Sequence, residues 1–319
     1  MALARTHLKP LADGEKIHLT DLIGGGRGRT FWVMAAATTG YAKFFKDHNV
    51  VEDGTNSVYN TLDAAISACT ANRGDVIYVT EGYTEAVTSS SIACDVAGVT
   101  IIGLGRGSFK PTFTFAATSS TINVTAANCE FRNLRIEAAV GDVVTAFLHA
   151  TAAQYTRYVD IEFYATSTFN FINCYTLGAA NISDGCRWVG NYLRTTDAGQ
   201  LSLVVTAAAQ NDLKFYDNHV RIAGAVAGLL VAGAADLLGL RVLGNFVQTG
   251  QTDGSGGVLV STSSTASSGV IVDNDMKTAD AAANVAVPIA SKIYAARNYI
   301  AGADEVGTVV AVGTLFDNT

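Results

Sequence analysis

The sequence predicts an all-β chain, a right-handed parallel β-helix built as a single-stranded solenoid with an N-terminal arm and a capping helix. Three observations carry that expectation: a unit recurring about every 27 residues, only 3 prolines in 319 residues, and a chain that is 49% hydrophobic but only 15% charged. A ladder strand needs its backbone N–H donors, so a protein of many paired strands avoids proline. Long stacks of uncharged side chains suit a low charge content.

The repeat is visible when segments are aligned on a turn residue. Phe131-Arg-Asn133-Leu-Arg-Ile136 and Tyr158-Val-Asp160-Ile-Glu-Phe163 are followed by Trp188-Val-Gly-Asn191-Tyr-Leu193 and Phe215-Tyr-Asp-Asn218-His-Val220. Val242-Leu-Gly-Asn245-Phe-Val247, Ile271-Val-Asp-Asn274-Asp-Met276 and Ala295-Ala-Arg-Asn298-Tyr-Ile300 continue the series. The marks at 133, 160, 191, 218, 245, 274 and 298 are separated by 27, 31, 27, 27, 29 and 24 residues. Self-similarity at such a period is the signature of a stacked repeat fold.

Apolar residues at −5, −3 and +2 from the last five asparagines predict a strand with one buried face, a bend, and a second strand. Asparagine tolerates the left-handed conformation, so it is expected to hold the bend. A coil of about 27 residues accommodates roughly three strands of 4–6 residues. Equivalent side chains then stack about 4.8 Å apart, forming an asparagine ladder and apolar ladders inside. The first two units imply a tighter turn, hence a change of coil geometry between 136 and 188.

Upstream, Leu62, Ala65, Ile66 and Cys69 fall at helical spacing, and Asn72-Arg-Gly74 stops the helix. An open solenoid end exposes its core and its strand edges, so residues 57–71 are predicted to cover it. Domain organisation follows: an N-terminal arm and lead-in strand over 1–50, a capping-helix region over 51–72, the β-helix over 73–305, and a terminal cap or contact segment over 306–319. The apolar run at 223–235 is too short to span a bilayer and reads as buried strand.

Charge is uneven. The net charge of −7 argues against a nucleic-acid partner, which would normally show a basic excess. Residues 1–30 hold five Lys/Arg and three Asp/Glu, a balance of +2, which leaves −9 for the rest. Arg5, Lys9, Arg27 and Arg29 are therefore candidates for an anchoring arm. The first residues lack the apolar core of a secretion signal. Five cysteines without CxxC spacing read as core residues in a reducing compartment.

Asp53-Gly54, the helical segment 59–69, Arg73-Gly-Asp-Val-Ile-Tyr-Val-Thr-Glu-Gly-Tyr-Thr-Glu85 and Gly98-Val-Thr-Ile-Ile-Gly-Leu-Gly105 resemble the opening of pectate-lyase-like right-handed β-helix proteins. That opening often reads GDxIxVxxGxYxE followed by xGVTxxG. The likeness covers about residues 50–105 by motif and 128–300 by repeat style. It implies the fold; the family spans lyases, hydrolases, epimerases and non-enzymatic phage virion proteins, so it does not by itself assign an activity. An Ala/Thr/Ser-rich body of compact length looks most like the virion members.

Enzymes of that family resemble one another in an outward carboxylate cluster that holds calcium beside a basic residue, and glycoside hydrolases need carboxylates facing one cleft. Asp217 and Asp273 occupy one repeat position, but Gly190 and Gly244 fill it in neighbouring coils. Glu162 over Arg135 reads as a ladder salt bridge. The Gly103-Leu-Gly105-Arg-Gly107 run is followed by an alternating strand pattern where a dinucleotide site needs a helix. No catalytic residue, metal site or cofactor is assigned.

One outward pattern remains. Arg187, Lys214 and Arg241 lie at −4 from the marks, and Arg194, Arg221 and Lys277 at +3, with Gln248 between the last two. Tyr192, His219, Phe246 and Tyr299 at +1 form an aromatic file between these rows. Stacked cations repel unless anions lie alongside, so Arg187, Lys214, Arg241, Arg194, Arg221, Tyr192 and Phe246 are the candidate partner- or glycan-binding residues. Asp184, Asp212 and Asp236 are placed to balance them.

The expected function is that of a bacteriophage virion structural protein: first a capsid decoration or cement protein, second a tail spike or fibre component. Expected partners are other virion proteins of capsid or tail and further copies of the chain, a trimer among the options, with a bacterial surface glycan as a further ligand; no membrane partner is expected. The expected location is the virion, after synthesis in the host cytoplasm. The alternatives are a polysaccharide lyase or glycoside hydrolase on this scaffold, or a non-catalytic glycan-binding module.

Overall fold

The computed structural model describes residues 28–35, 57–88, 92–195, 202–222, 227–250, 258–278 and 292–301. They form an all-parallel β-solenoid of about eight turns. Each full coil gives one strand to each of three sheets; in the coil of Trp188 these are Arg187–Val189, Tyr192–Thr195 and Ser202–Thr206. Stacking such coils builds a first sheet of 11 strands, a second of 9 and a third of 7.

Inward residues explain why the coils stay in register. In the first sheet Phe131, Tyr158, Trp188 and Phe215 lie on consecutive rungs, all fully buried. Their rings stack at centroid separations of 5.4, 6.0 and 4.7 Å with interplanar angles of 15° or less. Phe147 and Tyr175 of the third sheet pack against that stack from the opposite wall. A one-residue slip of any strand would turn its large ring out to water, so the register is strongly specified. The apolar run after residue 223 supplies the third-sheet strand Ala227–Gly233, with Leu229, Leu230 and Ala232 fully buried.

The turn between first and second sheets corrects the sequence alignment. Val159 pairs with Val189 and Glu162 with Tyr192, so both turns contain two residues and there is no change of geometry between these coils. The first turn residue is left-handed in all seven coils: Asn133, Asp160, Gly190, Asp217, Gly244, Asp273 and Arg297, with φ between 53° and 68°. The second points inward and is buried: Leu134, Ile161, then Asn191, Asn218, Asn245, Asn274 and Asn298. Asn133 and Asp160 therefore align with Gly190 and Asp217, not with Asn191 and Asn218. Asn191, Asn218, Asn245, Asn274 and Asn298 do not hold the left-handed bend; the residue before each does. Glycine is free of Cβ strain there and Asn or Asp bear it best, which explains six of the seven residues.

The first described strand lies at the N-terminal end, within the 1–50 region read as arm and lead-in strand. Thr30–Val33 is a strand of the first sheet, lying between Val58–Tyr59 and Val76–Val79, with Phe31 and Val33 buried. Arg29, a candidate for the anchoring arm, donates its backbone N–H to Asp75 Oδ1 at 2.7 Å. Asp75 is fully buried and also accepts from Thr70 N at 2.7 Å and from Arg73 Nε and Nη2 at 2.6 Å each. Burial would raise its pKa, but these donors outweigh it and hold the carboxyl below its ordinary value. Arg5, Lys9, Arg27 and the segment 306–319 lie outside the described residues.

The helix α1 spans Leu62–Ser67, shorter than the 57–71 expected, because 58–59 are spent as an edge strand. Thr61 caps it by accepting Ala64 N–H at 3.3 Å, and Leu62, Ala65 and Ile66 bury its inner face. Polar ties fix it over the open end. Asp63 Oδ1 accepts the edge N–H of Ala93 at 2.9 Å, and Glu85 accepts Leu62 N–H at 3.0 Å. The cap thus accepts one edge donor of the first rung, and a strand carboxylate accepts one of the helix's own free N–H groups.

Candidate functional site

Both predicted cation rows exist, but on different sheets. Arg187, Lys214 and Arg241 sit on consecutive rungs of the first sheet, and Arg157, missed because its coil was misaligned, extends the row. Lys214 departs from the expectation that it faces solvent: it is buried, its ammonium folded onto the Asp212 carboxylate. Arg241 reaches the same carboxylate at 3.9 Å, and Arg157 pairs with Glu130 at 2.9 Å. Of the three aspartates expected to balance this row, only Asp212 does. Asp184 accepts from Asn211, and Asp236 accepts from Ser264.

On the second sheet Arg194 pairs with Arg221, Arg221 with Gln248, and Gln248 with Lys277. Arg194, Arg221 and Lys277 are exposed, and among the described residues none of them has a carboxylate partner. Arg221 Nε donates instead to Gln248 Oε1 at 3.0 Å. Arg194, Arg221 and Gln248, with Thr195, Ile222 and Gly250, line a shallow groove of about 210 Å³.

Beside this row runs the aromatic file. Tyr192 stacks on His219 at 5.2 Å and His219 on Phe246 at 4.5 Å, and the Lys277 ammonium lies 5.5 Å from the Phe246 ring centre. Asp275 separates Phe246 from Tyr299, so the file is continuous over three rungs rather than four. Stacking turns the ring faces toward one another and leaves mainly edges for a partner. Burial between the rings, and then the neighbouring Arg221, push the His219 pKa below its ordinary value. His219 is therefore neutral at neutral pH, and the anion-attracting charge is that of the arginines and Lys277.

Two further carboxylates, Glu162 and Asp273, are engaged by cations of their own chain. Glu162 takes Arg135 at 3.1 Å and Lys110 at 3.7 Å, the ladder bridge the alignment predicts. Asp273 binds Arg297 through two bonds of 2.7 Å. Gly103 ends its strand and is followed by the short 3-10 turn Gly107–Phe109 and the strand Thr112–Phe115. All five cysteines are free thiols.

Sequence reasoning passed over His149 as one of several scattered histidines. Its Nδ1 lies 2.7 Å from Ser183 Oγ and its Nε2 2.6 Å from the Tyr158 hydroxyl. All three residues have zero exposure, so this Ser–His–Tyr chain is a sealed polar bond of the core rather than a site that substrate reaches. Burial pushes the His149 pKa down to about 3. The signal available in sequence was its place at the end of an alternating run, 143–149, on the inward parity of Phe147.

The fold is a parallel β-solenoid that carries a row of exposed cations on its second sheet. The chain matches no family model, no curated protein and no solved structure.

Proposed function

We propose that the protein is a non-catalytic structural component of a bacteriophage particle, a capsid decoration or cement protein before a tail spike or fibre component. In this reading the solenoid is a rigid strut, and the second sheet holds an anionic face of a neighbouring virion protein. The observation that carries the binding part is the row Arg194, Arg221, Gln248 and Lys277, with its like charges unpaired by carboxylates among the described residues. Cations at about 4.8 Å spacing repel one another, a cost relieved when an anion lies alongside. The particle assignment itself rests on the resemblance of the sequence to virion members of the β-helix superfamily.

An acidic surface glycan is the second reading, favoured by the groove along Arg194 and Arg221. The ring edges of the aromatic file suit it less, because sugars stack on ring faces.

The test is re-binding of purified protein to particles stripped of it, with Arg194→Glu/Arg221→Glu as the variant. Wild-type protein should re-bind, more weakly at high salt, and the variant should not. A parallel assay on acidic polysaccharides, with and without calcium, should show no release of unsaturated or reducing ends. Steady turnover, or unimpaired re-binding by the variant, would overturn the reading.

A further inference from the structure

The outward face of the first sheet carries a different pattern. Its middle row is Val159, Val189, Tyr216, Leu243, Val272 and Ala296 on six consecutive rungs, every one partly exposed. Below Val159 the row continues through Arg132 and Ile102 to Tyr78 and Trp32, ten rungs in all. Apart from Arg132, the side chains standing side by side on this outer face are apolar over that length, and such a patch marks an interaction surface.

What flanks the ribbon identifies its occupant. On one side, two residues earlier in each strand, runs the basic row Arg157, Arg187, Lys214 and Arg241, in which Arg157 is paired to Glu130, Lys214 and Arg241 share Asp212, and Arg187 alone has no carboxylate of its own among the described residues. On the other side, in the turn that follows, stand the exposed carboxylates of Asp160 and Asp217, with that of Asp273 beyond them already paired to Arg297. The face is therefore basic, apolar and acidic in sequence across its width.

Such a face is complementary to itself under one operation. A twofold axis parallel to the solenoid and running along the ribbon keeps each residue at its own rung and exchanges the two flanks. Ribbon then meets ribbon, and the basic row of each copy meets the acidic row of the other. Arg187 benefits most. Opposite its own rung lies Gly190, which has no side chain, and one rung to either side lie Asp160 and Asp217 of the second copy. Arg187 is exposed and has no ion pair among the described residues. An antiparallel arrangement, with the axis along the strands, would instead set basic row against basic row.

We infer that this face joins two copies of the chain side by side, with parallel solenoid axes, in an isologous twofold interface. Ten rungs of about 4.8 Å, three residues wide at about 3.3 Å each, cover roughly 450 Å² per copy and about 900 Å² together, near the lower limit for specific association. The outward row of the third sheet, with Thr176 and Ser261 beside Leu148, Val205 and Val231, is broken by hydroxyls and suits water better. The inference names a second copy as the partner and stands whether or not the chain belongs to a particle.

The experiment uses the full chain. Sedimentation velocity at concentrations up to about 100 µM should show a monomer–dimer equilibrium, the strength expected of so small an interface. Arg187→Glu and Val189→Lys should each weaken it at least about tenfold, with the circular-dichroism spectrum unchanged. Geometry is tested by Val189→Cys and Val272→Cys made separately. On a parallel twofold axis each residue faces its own copy, so mild oxidation should give a covalent dimer at both positions and none in the unsubstituted chain. A monomer throughout that range, a trimer, or cross-linking at only one of the two positions would overturn the inference. Particle re-binding is read separately, so failure there and failure here are distinct results.

Discussion

The side-chain amide of Asn218 donates to Asn245 Oδ1 at 2.9 Å, and its backbone N–H donates to that same oxygen at 3.0 Å. Its second amide proton goes to Trp188 O at 3.0 Å, and its own Oδ1 receives both donors of Asn191 in turn. Each rung thus clasps the next through a buried amide, from Asn191 to Asn298. Below Asn191 the position turns apolar, but Ile161 N–H still reaches the Asn191 oxygen at 3.1 Å.

This arrangement predicts a specific order of stabilities. Asn218→Ala and Asn218→Gly should both cost about 2–4 kcal/mol, because the two donors of Asn191 lose their acceptor inside the protein. Asp217→Gly should cost little, since the left-handed conformation suits glycine. Asp217→Val should cost about 1–3 kcal/mol through strain at positive φ. Urea unfolding measures all four. An Asn218→Gly variant as stable as wild type would mean the amide ladder contributes nothing.

His149 makes stability fall with acid. Its folded pKa of about 3 lies below the ordinary 6.5, so its contribution is complete above 6.5 and is lost as pH falls toward 3. The slope is about 1.4 kcal/mol per pH unit across that window, since the unfolded chain alone takes up the proton. His149→Gln should flatten the decline between pH 6 and 4 by about that slope, whatever it does at pH 7. Denaturant midpoints at several pH values decide it, and parallel declines in both proteins would refute it.

Asp75 ties the first strand, the helix exit and the Arg73 turn with one carboxylate. Asp75→Asn should destabilise by about 2–4 kcal/mol, because the amide cannot accept all four donors and leaves Arg73 without its partner. Its depressed pKa adds stability that is present above the ordinary carboxylate value of 3.8 and lost as pH falls further. This acid effect begins where most of the His149 effect is already spent. A variant whose thermal midpoint matches wild type at pH 7 would show the knot to be dispensable.

Truncation separates arm from scaffold. Removing residues 1–27 should leave the strand signal and thermal midpoint unchanged, because among the described residues the first-sheet hydrogen bonds begin at Arg29. Removal of 1–33 should lower the midpoint sharply, since it strips Phe31 and Val33 from the core and leaves the Val76–Val79 edge bare. Equal midpoints for the two truncated chains would contradict the placement of Thr30–Val33.

By itself the sequence determined the parallel solenoid, its period of about 27 residues, the inward parity of Trp188, Phe215 and Val242, and the cation and aromatic rows. Those properties are periodic, and side chains that stack must recur in sequence at the coil length. It also marked the turn, but the turn has two places, and Asn133 and Asn191 fill different ones: the first is left-handed at the surface, the second buried beneath it. Asparagine suits both, so only backbone φ and strand pairing could tell them apart. A second left-handed column before the first sheet, through Asn128, Tyr155, Gly185, Asp212 and Gly239, was hidden among longer loops and by a tyrosine in a place that favours glycine or asparagine. Tertiary structure alone decided that Lys214 folds onto Asp212, that His149 meets Ser183 and Tyr158 in the core, and that an apolar ribbon lies between rows of opposite charge. Each depends on which residues share a rung, and loops of unequal length between coils conceal that until the strands are paired.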